Sequence, residues 1–149
     1  MINFRNATLD DIDELNKIEI QSFVNPWKKE DLIYELSINP LNKFLIIEID
    51  GKIIGFIDYM ITFNSATISQ IAIDKEFRNK GYGTALLNKM EDSFIKSGDD
   101  AVEYVTLEVR NSNENAQKLY EKNGYKKITI KKNYYADGED AIYMVKGLI

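Results

Sequence analysis

The sequence predicts one domain, residues 1–149, of mixed α/β class: an α+β or α/β fold around a mixed sheet. Two observations carry this prediction. Segments with the apolar pattern of strands are interspersed with segments whose apolar residues recur at helical spacing. The length of 149 residues also suits a single hydrophobic core. With an optional first strand at Ile2–Arg5, the predicted order of elements is (β)ααβββαβαββ.

Two helices are predicted near the N-terminus. The first begins at Thr8–Asp11, which resembles a capping box, and extends to about Ser22. Asn25-Pro26 ends it, because the residue before a proline disfavours the helical conformation. The second helix opens at Trp27. The apolar faces are Ile12, Leu15, Phe23 and either Ile18 or Glu19 in the first helix, and Leu32, Ile33 and Leu36 in the second.

A meander of three strands is predicted next. Phe44–Ile49 and Lys52–Met60 flank Asp50-Gly51, which is a strong hairpin-turn signal. Thr67–Ile73 follows as the third strand. An amphipathic helix comes after it and ends near Ser97-Gly98, where glycine favours a helix stop. The apolar face of this helix consists of Leu86, Leu87, Met90 and Phe94.

The last third of the chain predicts a strand, a short helix and two closing strands. Tyr104–Arg110 is a strand rich in β-branched residues. A short helix follows from Asn111 to Asn123, and Gly124 ends it. The two closing strands are Tyr125–Lys131 and Ala141–Val145.

The composition removes several classes of chemistry. The chain contains no cysteine and no histidine, which excludes a disulfide, a cysteine nucleophile, a Ser-His-Asp triad, a zinc finger and an imidazole base. Any general acid or base must therefore be Asp, Glu, Lys, Tyr or a chain terminus. We expect no metal ion in the site. The net charge of −5 argues against sequence-independent nucleic-acid binding. It is compatible with a cationic partner, or it serves solubility alone.

The sequence contains no sign of membrane insertion or secretion. No apolar run approaches the roughly 20 residues that span a bilayer. The first residues, MINFRNATLDD, lack the apolar stretch of a secretory signal. We therefore expect a cytoplasmic protein without a membrane contact.

The stretch RNKGYG, Arg78 to Gly83, lies directly before the amphipathic helix and is a candidate phosphate site. Free backbone N–H groups and the helix dipole favour an anion at a helix N-terminus. Gly81 and Gly83 let the backbone approach a ligand, and Arg78 and Lys80 add positive charge. Neither a Walker loop nor a complete Rossmann fingerprint is present. These six residues alone leave a phosphate cradle and a turn for tight packing equally open.

Two further residues are candidates for chemistry. Glu108 alternates with Leu107 and Val109 in a strand, so its carboxylate faces either solvent or a cleft. Tyr120 lies one turn before the end of the short helix. Its residue type alone indicates a core side chain more than a functional one.

Two motifs, in this order along the chain, resemble those of the GCN5-related N-acetyltransferases. The first is the family's loop before the third helix, which reads Arg78-x-x-Gly81-x-Gly83 here. The second runs from an asparagine through an alanine and a tyrosine to a glycine and an aromatic residue. Its matching positions are Asn113, Ala116, Leu119, Tyr120, Gly124 and Tyr125. The resemblance implies a GNAT-type acyl-CoA N-acyltransferase fold over nearly the whole chain.

The chain is more closely similar to the RimI branch, the bacterial ribosomal-protein-alanine N-acetyltransferases. The residues that carry this similarity are Asn25-Pro26-Trp27, Leu107 to Arg110, Asn133-Tyr134-Tyr135 and Asp137 to Ala141. Two features depart from the expected pattern. Lys131-Lys132 stands where arginines are expected, and the tyrosine loop is slightly short.

The resemblance implies acetyl-CoA as the donor and direct attack by an amine, without an acetyl-enzyme. Backbone groups of Ile71, Ala72 and Ile73 would hold the pantetheine arm, and one N–H would polarise the thioester carbonyl. Asn113 would bond this arm from the other side. The pyrophosphate would contact Arg78, Asn79, Lys80, Gly81, Tyr82, Gly83 and Thr84.

The resemblance also implies roles for five side chains. Glu108 would take the proton from the attacking ammonium, directly or through water, and Tyr120 would return a proton to the CoA thiolate. Trp27, Tyr134 and Tyr135 would line the peptide site. Apart from the resemblance, the two tyrosines are equally well interpreted as surface aromatic residues. Asp137, Glu139 and Asp140 either attract a basic ribosomal-protein tail or form a solvated turn.

The choice of amine can be weighed from ordinary pKa values. At pH 7 roughly 10–15% of an α-amine is neutral, but only about 0.04% of a lysine amine. This favours the α-amine of an N-terminal alanine, in the N-terminal peptide of a ribosomal protein, as the acceptor. The alternatives are an acetyltransferase for a small amine or lysine, a non-catalytic CoA-binding module and, on RNKGYG alone, a nucleotide-binding protein.

Overall fold

The computed structural model describes residues 1–96 and 102–148 of the chain. Within these ranges seven strands form one mixed sheet and four α-helices pack on it. The helices are α1 (Ile12–Ser22), α2 (Lys29–Ser37), α3 (Tyr82–Lys96) and α4 (Glu114–Lys122). The strands are β1 (Ile2–Asn6), β2 (Asn42–Ile49), β3 (Lys52–Thr62), β4 (Ser65–Ile73), β5 (Tyr104–Arg110), β6 (Lys126–Lys131) and β7 (Ala141–Gly147).

The observed order of elements is the predicted one, and the mixed α/β class is confirmed. Helix α2 begins at Lys29 rather than Trp27, because the Lys28 N–H donates to Asp31 Oδ2 at 2.9 Å and caps the helix there. Helix α4 begins at Glu114 rather than Asn111, since Asn113 caps it. The predicted helix stop near Ser97-Gly98 lies outside the described residues.

The strand order in the sheet is β1-β2-β3-β4-β5-β7-β6. All neighbours pair antiparallel except β4 and β5, which pair in parallel. Strand β7 therefore lies between β5 and β6, and this brings the segment that joins β6 to β7 beside the end of β5.

The sheet separates two hydrophobic clusters. On one face α3 and α4 pack, and all four predicted apolar residues of α3 are buried there. On the other face α1 and α2 cover a smaller cluster that contains Leu15, Leu32 and Phe56. Ile33, predicted on the apolar face of α2, is 42% exposed, because it points away from the face that Leu32 and Leu36 share. None of the helices in the described ranges is long and apolar enough to cross a membrane.

A bulge in β4 changes which side chains face each helix layer. The pairing of β3 with β4 shifts register between Asp58 and Tyr59, so Ser69 has no direct partner in it. After this bulge Ile71 and Ile73 pack against the α3 cluster, whereas Ala72 packs against the α1 cluster. Gln70 is thereby turned to the α1 face, where its side chain contacts α1.

Gly55 is required for the close approach of β3 and β4. A methyl group at this position would lie 2.6 Å from Ile73 Cδ1 and 2.7 Å from the Ala72 carbonyl oxygen. We expect Gly55→Ala to lower the free energy of unfolding by about 1–3 kcal/mol, because the backbone must shift to relieve the overlap. Urea unfolding monitored by circular dichroism measures this. A change below about 0.5 kcal/mol would contradict the overlap.

Candidate active site

The site begins at the split, which is the point where β4 and β5 separate. They pair in parallel only over Ser65–Ile68 and Tyr104–Leu107. Beyond that point, within the described residues, β4 pairs only with β3, and β5 only with β7. An unpaired strand edge can accept an extended ligand as an added strand. Ile71, Ala72 and Ile73 lie along the separated part of β4.

A groove of about 580 Å³ lies beside this part of β4. All predicted cofactor-binding residues except Lys80 line it, which brings together β4, the RNKGYG loop and the start of α4. The Lys80 ammonium instead lies 5.8 Å from the centre of the Phe77 ring. Further lining residues that the sequence did not single out include Ser22, Phe23, Asn115, Lys118 and Lys122.

The two glycines of RNKGYG have different roles. Gly81 adopts a φ of +87°, with open space around it, so its role is conformational. A Cβ at Gly83 would lie 3.0 Å from Leu119 Cδ2, so Gly83 allows α3 to pack against α4. Gly83 therefore fits the prediction of a turn for tight packing, whereas Gly81 serves the conformation of the loop itself.

The start of α3 has the character of an anion site. The first helical backbone bond runs from the Ala85 N–H to the Gly81 carbonyl, at 3.0 Å, so the N–H groups before it lack helical partners. Lys118 and Lys122 of α4 line the same groove and add positive charge. Their spacing of four residues on a predicted helix was the available sequence signal. Phosphate groups fit such an arrangement.

Arg78 anchors the loop. Its Nε donates to the Ile73 carbonyl at 2.9 Å and its Nη2 donates to Ser22 Oγ at 3.1 Å. The guanidinium thus joins the end of β4 to the end of α1 while it lines the groove. Asn113 Oδ1 accepts from the Ala116 N–H at 3.2 Å, which caps α4 at the opposite wall.

Glu108 is the first residue of β5 beyond the parallel pairing. Its side chain is 18% exposed, and Oε1 accepts a hydrogen bond from Lys131 Nζ at 2.8 Å. This hydrogen bond raises the pKa of Lys131. The ion pair of Glu108 with Lys131 was not predicted from the sequence, because it joins residues 23 positions apart on non-neighbouring strands.

Tyr120 is buried in the hydrophobic cluster between the sheet and the α3 face. Its ring centre lies 5.7 Å from that of Tyr125. Burial, followed by the charge of Tyr135, raises the pKa of the Tyr120 hydroxyl. Glu108 in turn contributes to the raised pKa of Tyr135, which burial dominates and which reaches about 12. Tyr135 therefore interacts electrostatically with both Glu108 and Tyr120.

The loop that carries Tyr134 and Tyr135 is held by Arg110. The guanidinium carbon lies 4.1 Å from the centre of the Tyr135 ring, and Nη1 donates to Asp137 Oδ2 at 2.9 Å and Glu139 Oε1 at 2.8 Å. The two tyrosine rings stand nearly perpendicular with centres 5.1 Å apart. A planar cation thus fixes the ring that adjoins Glu108.

The acidic residues of this loop are engaged within the protein. Hydrogen bonds from Ser112, followed by that from Arg110, lower the pKa of Glu139 to about 2. Asp140 pairs with Lys132 Nζ at 3.2 Å and accepts from the Asn133 N–H at 2.9 Å. Together with the Arg110–Asp137 pair, this favours the structural turn over a free acidic patch for a basic tail.

Trp27 is held on the α1 face of the sheet. The Trp27 backbone N–H donates to Glu19 Oε1 at 2.9 Å, and the Trp27 backbone carbonyl accepts from Asn16 Nδ2 at 3.1 Å. Glu19 Oε1 also accepts from Gln70 Nε2 at 3.1 Å, so one carboxylate ties the Trp27 segment to β4. Burial raises the pKa of Glu19 to about 7. The sequence placed either Ile18 or Glu19 on the apolar face, and the structure buries both.

Within residues 1–96 and 102–148, no three acidic side chains are grouped so that they could hold a metal ion. The unpaired edge of β4 and the N-terminus of α3 lie at one groove, an arrangement that can hold a long ligand that carries phosphate groups.

Comparison with known proteins shows the family to which the chain belongs. The model of the acetyltransferase (GNAT) family matches residues 12–125. A Bacillus subtilis protein, whose name gives ribosomal protein bS18-alanine N-acetyltransferase as a provisional activity, is 41% identical over 141 residues, which are 94% of this chain and 91% of that protein. An N-alpha-acetyltransferase of Saccharolobus solfataricus is 35% identical over 156 residues, covering 97% of this chain and 92% of that protein.

A solved structure agrees with these relatives. The crystal structure of the ribosomal-protein-S18-alanine N-acetyltransferase from Escherichia coli superposes with a TM-score of 0.86 at 30% identity, over 99% of this chain and 94% of that one. The chain belongs to the acetyltransferase (GNAT) family and is an N-acetyltransferase; the family uses acetyl-CoA. The resemblance and the GNAT fold predicted from the sequence are thereby confirmed.

Proposed function

We propose that the protein transfers acetyl from acetyl-CoA to the α-amine of an N-terminal alanine of a ribosomal protein. The observation that carries this proposal is the position of Glu108 where β4 and β5 separate, together with Tyr135, which Arg110 holds and which interacts electrostatically with both Glu108 and Tyr120. The names of the Bacillus and Escherichia relatives support the choice of acceptor.

The groove fits acetyl-CoA in its shape and its charge. The pantetheine arm would lie along Ile71–Ile73, where β4 has an unpaired edge. The pyrophosphate would lie at the start of α3, between the loop and the lysines of α4. Asn113 would contact the arm from the opposite wall. Bound in this way, acetyl-CoA supplies an activated thioester at the split.

Glu108 would accept the proton that the acceptor ammonium must lose before its nitrogen can attack the thioester. The nitrogen would then bond to the acetyl carbon, the C–S bond would break, and Tyr120 would give its proton to the departing thiolate. The nitrogen would lose its second proton as the amide forms, and this proton would return to Tyr120 through solvent. Burial raises the pKa of the Tyr120 hydroxyl, so the hydroxyl is protonated at neutral pH and its proton is present when the thiolate forms. An N–H of the separated part of β4 would stabilise the developing oxyanion.

Tyr134, Tyr135 and Trp27 would bind the acceptor peptide. Arg110 holds the Tyr135 ring and Glu19 holds the Trp27 backbone, so an acceptor entrance between them would be pre-organised on both sides. An α-amine suits this site, since roughly 10–15% of it is already neutral at pH 7.

We expect the purified protein to acetylate a peptide that begins with alanine at least about 100-fold more efficiently than a peptide with a blocked N-terminus and an internal lysine. The peptides differ only in which amine is free, and mass spectrometry locates the acetyl group. Tyr134→Ala combined with Tyr135→Ala should reduce peptide acetylation while sparing a small amine. Acetylation confined to lysine or to polyamines would overturn the proposed acceptor.

A further inference from the structure

We propose that Glu108, Tyr134 and Tyr143 form the pocket for the ammonium group of the acceptor, and that Lys131 occupies this pocket until the acceptor displaces it. The proposal rests on the proposed role of Glu108 as the base that contacts the acceptor amine. It assigns a function to Lys131 and Tyr143, to which neither motif of the family extends.

The surroundings of the Lys131 ammonium are those of a binding site for an alkylammonium. Its Nζ donates to Glu108 Oε1 at 2.8 Å. It also lies 4.6 Å from the centre of the Tyr143 ring and 5.5 Å from that of Tyr134. A carboxylate combined with aromatic faces is a recurrent way to recognise an organic cation.

Strand register brings these groups to one face of the sheet. Glu108 pairs with Tyr143 across β5 and β7, and Lys131 pairs with Ala141 across β6 and β7. Ile142 and Met144 belong to the α3 cluster, so Tyr143 faces the opposite side, toward the α1 layer. That layer contains the Trp27 segment, so the pocket opens on the side proposed for the acceptor.

One carboxylate beside the thioester cannot hold two ammonium groups without repulsion between them. Lys131 is able to leave, because its side chain is 40% exposed and lies on a flexible four-carbon stem. Ion pairs with this degree of exposure are weak. The acceptor ammonium can therefore take the same place, while the Lys131 ammonium moves into solvent.

Displacement of a resident cation should appear in the apparent affinity for the acceptor. We expect Lys131→Met to lower the KM for the alanine peptide about two- to fivefold, the range of an ion pair that is exposed at its lysine end. Lys131→Arg keeps a cation against Glu108 and should not lower this KM. Steady-state kinetics with saturating acetyl-CoA measure both.

Lys132→Met is the matched control. It removes the same charge from the neighbouring position, but Lys132 is 76% exposed and pairs with Asp140 outside the pocket. Its KM should equal that of the wild type. If Lys131→Met raises the KM, or changes it no more than Lys132→Met does, then Lys131 is not a competitor of the acceptor and the proposal is wrong.

A second measurement does not depend on turnover. Lysine labelled with ¹³C at the ε-carbon gives one NMR signal per lysine, and the signal missing in Lys131→Arg is that of Lys131. Titration with ethylammonium chloride should move this signal toward that of the exposed Lys132. An unchanged Lys131 signal overturns the pocket. A moved signal in a protein that acetylates no peptide would instead overturn only the proposed function.

Discussion

Glu108→Gln is expected to lower kcat for acetylation of the alanine peptide by about 10²–10⁴-fold, the usual contribution of a positioned general base. Glutamine keeps the shape of the side chain but cannot accept the proton of the ammonium. The KM for acetyl-CoA should change little, because Glu108 lies at the split and is not among the residues that line the groove. Steady-state kinetics at varied acetyl-CoA and peptide separate the two effects.

Glu121→Gln is the control for this substitution. Glu121 is on α4, half exposed, and its only close cation is Lys127 Nζ at 4.0 Å in the described part of the chain. Its replacement should leave kcat within about twofold of the wild type. Normal turnover by Glu108→Gln would show that another group, or water alone, removes the proton. Such a result would reassign the base without affecting the cofactor site.

Asp58→Asn is expected to raise the free energy of unfolding by about 3–5 kcal/mol near pH 8 and by much less near pH 4. Asp58 lies within β3 and is completely buried. Neither of its Oδ atoms has a hydrogen-bond partner in the described ranges. Burial, with the charge of Glu35 as the second cause, raises the pKa of Asp58 to about 8. The Asn42 amide is close enough to offset part of this rise, but its Nδ2 donates to the Glu35 carbonyl at 3.3 Å.

The direction of this pH dependence follows from where the proton is held. In the unfolded chain Asp58 has an ordinary pKa of about 3.8, so it ionises freely above pH 4. The folded protein retains the proton up to about pH 8. Between these limits the folded state binds more protons than the unfolded state, so the wild type loses stability as pH rises. Asparagine is always neutral and avoids this loss.

Urea unfolding at several pH values from about 4 to 8 tests the prediction. Asp92→Asn, an exposed position on α3, is the control and should run parallel to the wild type. Asp58→Asn should still lose some stability as pH rises, because the pKa of Glu19 is also raised by burial, to about 7. Equal differences between Asp58→Asn and wild type at all pH values would mean that Asp58 is ionised in the folded protein.

Local pattern accounts for much of what the sequence predicted correctly. Strand Tyr104–Arg110 has the predicted limits, and the four apolar residues predicted for α3 are all buried. Both depend on periodicity and side-chain type within a few turns or residues. The RNKGYG stretch and Asn113 were assigned to one cofactor site from two motifs, and all of these residues except Lys80 line one groove. The boundaries of α2 and α4 were missed, because a capping side chain decides where a helix begins.

The order of the sheet was beyond the reach of local pattern. No residue pattern in β6 or β7 predicts that β7 lies between β5 and β6. This strand order decides which residues surround Glu108. The Lys131 pair with Glu108 and the stacking of Arg110 on Tyr135 both depend on it. The hydrogen bond from Gln70 to Glu19, 51 residues away, was equally unpredictable, because it depends on the β4 bulge that turns Gln70 toward α1.

The sequence by itself determined the succession of helices and strands, the family, and most of the residues that meet around the groove beside β4, because these depend on short periodicities and on motifs of neighbouring residues. Only the tertiary structure decided the charge environment of the chemistry. It paired Glu108 with Lys131, fixed Tyr135 by Arg110, and buried Glu19 and Asp58. Coulomb interactions and desolvation depend on distance and burial in space, and these arise from strand register and layer packing rather than from spacing along the chain.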